Sequence, residues 1–370
     1  MKKRMGGAER LRMKRAGYTT DGKGKVTSER FVLAGRTDDQ VPHVPDPAKV
    51  ARISTLYGPD GDVRAQWIIE KPEDAERIHN MQEWAKAMAE DLPRAEPIPY
   101  GAEGFLYSGF SNPALMACYP VGDHHMGMLS WKHETGSSYD LDIGEALLGK
   151  AITHLVGTTP ACDRCAVVFL GDFMHYDSFD AVTPTSRNML DSDGRFPKMV
   201  RAAVRTMRHA VETAAARHRE VLVIIEIGNH DLASSIFLME CLHNIYENNP
   251  RITVDTTPSH FHYFTFGKNL IGTHHGHEAK YAALPGIMAT DRAALWGATE
   301  HRAWWTGHIH SQKVFDFPGC SVESFRILPP ADAWAHNKGY RAQRDMKAII
   351  LHAEYGEVAR YTVNPSMLET

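Results

Sequence analysis

Five times between residues 112 and 310, a short apolar run ends abruptly in Asp, Asn or His. "ALMACYPVGDHHMG" ends in Asp123, His124 and His125, and "AVVFLGDFMHYDS" in Asp172, with His175 three residues on. "VLVIIEIGNHD" ends in Asn229, His230 and Asp231, "NLIGTHHGHE" in His274, His275 and His277, and "AWWTGHIHSQ" in His308 and His310. Polar side chains at the tip of a buried strand are costly unless something binds them. In an open α/β sheet the carboxyl ends of the strands line the binding crevice. The recurrence therefore predicts a sheet whose strands all deliver ligands to one edge.

The segments between these runs agree. "DIGEALLGKAITHLV", "FPKMVRAAVRTMRHAVETAAARHR" and "ASSIFLMECLHNIYEN" read as helices that follow the first three runs. Strands alternating with helices imply an α/β domain with a largely parallel sheet. After residue 260 the character changes to strand-like runs with few helices, ending in a hairpin across Tyr355-Gly356-Glu357. The expected layout has three parts: a basic, flexible or weakly folded arm over 1–50, an accessory segment and linker over 51–111, and the main domain over 112–370. The accessory segment reads as a hairpin over 52–71, turning at Gly58-Pro59-Asp60-Gly61, and a helix over 71–92.

Composition narrows the setting. The arm is strongly basic, with eleven Lys/Arg against three Asp/Glu in residues 1–36, although the whole chain has a formal charge of −4. Five Cys in 370 residues do not form a disulfide framework, so a reducing cytoplasm is expected. No apolar stretch is long enough for a membrane span, and no h-region follows the basic N-terminus. Nineteen of the 21 His lie after residue 120, where the strand ends are.

Residues i and i+2 of an extended chain project to one side, which lets Asp123 act with His125 and His308 with His310. A mixed oxygen and nitrogen donor set without thiolate suits Mn²⁺, Zn²⁺ or Fe better than Mg²⁺ or Ca²⁺. There are too many ligands for one ion. Two ions sharing a carboxylate account for them economically.

The ordered blocks Asp123-His124-His125, Gly171-Asp172, Gly228-Asn229-His230-Asp231, His275-Gly276 and Gly307-His308-Ile309-His310 resemble the signature of the calcineurin-like metallophosphoesterases. The overall style is similar to phage- or prophage-encoded members, and His175 in "GDFMH" to the DNA-repair exonuclease branch. The resemblance implies a four-layer αββα sandwich over about 112–365. It implies one ion held by Asp123, His125, Asp172 and His310, and a second by Asp172, Asn229, His275 and His308, with Asp172 bridging. Manganese is the expected metal, with zinc or iron as alternatives. A water between the ions would serve as nucleophile. His230 would protonate the leaving group, oriented by Asp231, and His175 would assist at the scissile phosphate.

The implied function is phosphodiester hydrolysis, with nucleic acid, DNA in particular, as the favoured substrate, in the host cytoplasm if phage-encoded. The alternatives are a phosphomonoesterase or protein phosphatase, and a nucleic-acid-binding protein with a vestigial site. Other features read as structural. Cys162 and Cys165 form a lone CxxC, expected to be a reduced turn. Arg187, Asp191, Asp193 and Arg195 are expected in a loop before a helix, where an Arg could instead clamp phosphate. Trp304 and Trp305 are expected in the core, on opposite faces.

Overall fold

The computed structural model describes residues 111–368, together with Glu83 and the backbone of four strands nearer the N-terminus. The chain divides into two units, Met1–Asn80 and Met81–Thr370. In the first, Met13–Thr20 (β1) pairs antiparallel with Val26–Leu33 (β2), inside the basic segment. Val50–Tyr57 (β3) pairs antiparallel with Val63–Glu70 (β4), placing Ile53 opposite Ile68. The helix read at 71–92 and the linker after it lie outside the described residues, except for Glu83, which is helical.

The second unit contains two sheets. The first has six strands: Asn112–Val121 (β5), Cys162–Phe169 (β6), Glu220–Ile225 (β7), Ile252–Val254 (β8), Met346–His352 (β14) and Gly356–Val363 (β15). Their order is β15-β14-β5-β6-β7-β8. The β5 to β8 run is parallel, while β14 and β15 add antiparallel. The second sheet has His262–Phe266 (β9), Asn269–His274 (β10), His301–Thr306 (β11), Lys313–Phe317 (β12) and Cys320–Ser324 (β13). Its order is β12-β13-β11-β10-β9, with β13, β11 and β10 parallel.

Helices cover both outer faces. After the single turn Lys132–Thr135 (α1), Leu141–Thr158 (α2), Phe196–Arg217 (α3) and Leu232–Tyr246 (α4) pack on the first sheet. Leu284–Asp291 (α5) and Ala293–Ala298 (α6) lie beside the second, and Ala333–Asn337 (α7) is one short turn. Local chemistry explains where α2 begins. Asp140 accepts a hydrogen bond from Ile143 N at 2.8 Å, and Asp193 accepts one from Leu141 N at 3.0 Å, so two of its first free N–H groups are satisfied. Its buried residues Leu141, Gly144, Leu148, Ala151, Ile152 and Leu155 repeat at helical spacing and face the sheet.

The period-2 alternation of the strands separates the layers. Tyr119, Val167, Phe169 and Val223 point to the helices, whereas Cys118, Ala166, Val168 and Ile224 point to the second sheet. There they meet Phe264, Phe266, Ile271, Trp305 and Phe325. Leu270, Trp304 and Val322 form the outer face of the second sheet with Leu284 and Met288. Both tryptophans are therefore core residues on opposite faces. The result is an α/β four-layer αββα sandwich, the architecture implied by the resemblance.

Candidate metal centre

Five strands, three from one sheet and two from the other, end at the same edge of the sandwich. Asp123 and His125 follow β5, Asp172 and His175 follow β6, and Asn229, His230 and Asp231 follow β7. His275 follows β10, and His308 and His310 follow β11. Asp123, His125 and His310 bring one ligand atom each within 4.8 Å of one another, as do Asp172, His275 and His308. In the first group, His310 Nε2 is 2.9 Å from Asp123 Oδ2 and 3.1 Å from His125 Nε2. In the second, His275 Nε2 is 3.2 Å from Asp172 Oδ2 and 3.1 Å from Asn229 Oδ1. These are the seven residues that the resemblance assigns to two ions.

The backbone is shaped around these ligands. His125, Asp172, His308 and His310 have φ of 46°, 47°, 68° and 52°, and Arg187 is the one other non-glycine residue with positive φ among the described residues. The left-handed region costs roughly 1 kcal/mol for an L residue, and strain of this kind persists where the surroundings over-determine it. The turns also require close backbone approach. At Gly171 (φ 89°) a Cβ would lie 2.5 Å from His275 Nδ1. At Gly228 it would lie 2.1 Å from Asp172 Oδ1.

The electrostatics favour positive charge. His275 Nδ1 lies 2.7 Å from the Leu170 carbonyl, so it carries the proton and Nε2 is left as an acceptor. That lone pair faces the oxygens of Asp172 and Asn229. Three acceptors converging in a buried site repel unless a cation or a proton joins them. Burial opposes a second proton on His275, yet the Asp172 and Asp123 carboxylates outweigh it and lift its pKa to about 10. Burial likewise pushes the Asp172 carboxyl up, but His275 holds it well below its ordinary value. The donor set of imidazole, carboxylate and amide fits a divalent cation of the Mn²⁺, Zn²⁺ or Fe²⁺ class.

His175 and His230 lie on the flank of this cluster. Their rings stack 5.6 Å apart, and His230 meets His125 edge-on at 4.9 Å. The orientation expected for His230 needs correction. Asp231 does not hold its ring; His230 Nδ1 lies 2.8 Å from the His175 carbonyl and donates to it. The Asp231 carboxylate is engaged by backbone amides instead, accepting from Asp172 N (3.1 Å), Met174 N (3.0 Å) and Gly228 N (3.2 Å). Asp231 thereby ties the β6 and β7 turns together. Burial first, and then the Asp172 charge, raise its pKa to about 7.

No known protein-family model matches the chain, and no curated protein matches it. Solved structures that match part of the chain include a predicted phosphoesterase from Streptococcus pneumoniae TIGR4, at 11% identity over 68% of this chain and 99% of that one, with a TM-score of 0.28. A novel archaeal phosphodiesterase has 13% identity over 67% and 99%, with a TM-score of 0.33. Vps29 from Entamoeba histolytica, complexed with Zn²⁺, has 12% identity over 68% and 99%, with a TM-score of 0.28. The assignment rests on this chain's own strand order, layers and ligand clusters. The two-sheet α/β sandwich with its ligand clusters at one edge matches a calcineurin-like phosphoesterase fold.

Several residues that support this edge had no signal in the sequence. Asp177 accepts from Ala233 N, Ser234 N and Ser234 Oγ at 2.6–2.9 Å, capping α4 from a distant loop. The fully buried Glu226 bonds His262 Nδ1 at 2.9 Å and also the Thr273 hydroxyl, which joins the two sheets behind the site. Burial opposes the charge on His262, but Glu226 overcomes this and raises its pKa to about 9. Arg187 reaches Asp180 at 3.7 Å, Asp193 caps α2, and Arg195 is the N-cap residue of α3. Cys162 and Cys165 are free, buried in β6, and belong to none of the ligand clusters among the described residues. Among the described residues no helix is long and apolar enough to cross a membrane.

Proposed function

We propose that this protein is a dinuclear-metal-dependent phosphoesterase. The carrying observation is the pair of ligand clusters, built from both sheets, in which four of the seven ligands sit in left-handed backbone. Asp123, His125 and His310 would hold one ion, and Asn229, His275 and His308 the other, with Asp172 shared. When bound, two such ions supply Lewis-acid stabilisation of phosphoryl oxygens and lower the pKa of water.

The remaining work falls to this chain's side chains. His230 is half-buried at the mouth, and its Nδ1 proton is committed to the His175 carbonyl. Its Nε2, when it carries a second ring proton, is the atom that would pass that proton to a leaving alkoxide. His175 is buried and stacks on His230, so it fixes the ring plane. Burial lowers the His175 pKa to about 3, which keeps it neutral beside the ions.

A nuclease is the narrower reading. It draws on the basic N-terminal segment and on the offset of His175, and no group in the metal cluster singles out nucleic acid. The broader phosphoesterase reading, which includes monoester hydrolysis, is the one the site supports.

The test is Mn²⁺-dependent hydrolysis of p-nitrophenyl phosphate against bis-p-nitrophenyl phosphate and end-labelled DNA, with His308→Ala as control. Turnover of either ester that disappears in the variant supports the proposal, and the preferred substrate sets the class. A metal content below one per chain, with no turnover of any substrate, would leave a vestigial site.

A further inference from the structure

Beyond the two clusters lies a third. His260 precedes β9, while His277 and Glu278 follow β10. One ligand atom from each lies within 4.8 Å of the others. His260 Nδ1 is 3.8 Å from Glu278 Oε2, and His277 Nε2 is 3.6 Å from Glu278 Oε1. The two rings are 5.8 Å apart and tilted by 55°.

These separations are too long for hydrogen bonds. They are close to the roughly 3.4 Å between neighbouring ligands of a tetrahedral ion with bonds of about 2.1 Å. His260 Nδ1, the atom that faces Glu278, is also buried without a hydrogen-bond partner. A buried polar atom of this kind is rare unless something binds it.

The surroundings hold the group in place. His274 Nδ1 accepts from Gly276 N at 2.8 Å, which fixes the turn that projects His277. The His274 ring stacks between Phe261 at 4.8 Å and His277 at 6.1 Å. His274 is thus a support behind the third cluster, whereas its neighbour His275 belongs to the dinuclear one. On the other side, His277 lies 5.2 Å from the ring of His275 and 6.1 Å from that of His308. The third cluster therefore shares a wall with the dinuclear centre.

We infer that His260, His277 and Glu278 form a third divalent-cation site, of the Zn²⁺ class, on the wall of the crevice. Two imidazoles and one carboxylate are the ligand set of a three-coordinate zinc with an open fourth position. The Glu278 side chain is 57% exposed, which leaves that position reachable from solvent. An ion there would offer a phosphate oxygen a contact separate from the shared pair. The site does not depend on the phosphoesterase reading.

The experiment is equilibrium dialysis of the full, metal-stripped chain against Zn²⁺, with bound metal counted by mass spectrometry. Wild type is expected to bind three ions, His260→Ala and Glu278→Gln two each, and Asp172→Ala one. Co²⁺ substitution adds a second readout: a tetrahedral visible band present in Asp172→Ala and absent in Asp172→Ala/His260→Ala. Equal stoichiometry in wild type, His260→Ala and Glu278→Gln overturns the proposal. A wild type that binds a single ion, lost in His260→Ala but kept in Asp172→Ala, would uphold this site and refute the dinuclear one.

Discussion

Gly228→Ala is the smallest change that should disable the centre. The added Cβ would lie 2.1 Å from Asp172 Oδ1, 2.2 Å from Asp172 N and 2.6 Å from Asp231 Oδ1. None of these atoms can move aside. One is backbone, and both carboxylates are fully buried and hydrogen-bonded to main-chain amides. A carbon belongs about 3.5 Å from such neighbours, so the β6 and β7 turns must part by about 1 Å. Overpacking of this kind costs about 1–3 kcal/mol. Weakening the bonds Asp172 N to Asp231 and His230 N to Asp172 adds about 1 kcal/mol each. A total of about 3–5 kcal/mol is expected as a lower urea midpoint. The displaced Asp172 should also lower turnover about 100-fold, the usual consequence of a 1 Å misplacement. Gly157→Ala is the control, because its Cβ meets nothing within 4 Å inside α2, and it should stabilise by about 0.5–1 kcal/mol. Wild-type metal content, midpoint and turnover in Gly228→Ala would refute the close-approach argument.

Three further outcomes follow from the same geometry. His230→Ala should keep its bound metals but lose about 100-fold or more in kcat, and lose more with an alkyl leaving group than with p-nitrophenolate; an equal loss with both would mean that His230 does not protonate the leaving group. His218 is fully buried between Tyr119 and the Cys162 carbonyl, and burial lowers its pKa to about 4. The unfolded chain, with an ordinary His pKa of about 6.5, takes up the proton first. About 3 kcal/mol of stability should therefore be lost as pH falls from about 6.5 to 4, and the difference between wild type and His218→Gln in urea melts at pH 7 and 4 should show it. Asp177→Ala should cost about 1–2 kcal/mol by uncapping α4, and calorimetry showing no change in Tm would remove it as the cap.

The strand ends were legible because a buried run that stops at Asp-His or Asn-His-Asp demands a partner, and the sequence shows that cost directly. The switch from helix-separated to helix-poor strands could be read directly, whereas the αββα layering came only from the resemblance of the motifs. Short or exposed strands were not legible: β8 has three residues, too few to show a period, and β12 is mostly exposed although it carries Val314, Phe315 and Phe317. Neither was the function of Asp231. Its partners are backbone amides whose directions depend on two turns 59 positions apart. Glu226 interrupts an apolar run, and only the neighbouring sheet shows that His262 and Thr273 meet it. The third cluster was hidden for the same reason, since His260 joins it from a separate segment.

The centre is also a clasp. His125 hangs from one sheet and His310 from the other, 185 positions apart in the chain, and ions bridging them can bind only when the two sheets are closed on each other. Each ion at a hundredfold excess over its Kd would add about 2.7 kcal/mol to the folded state. Two would supply about 5 kcal/mol, on the scale of an ordinary domain's entire stability. Metal supply would thus govern how long the protein survives as well as how fast it works. Chelation should shorten its lifetime against a protease before any bond is cut at the centre itself.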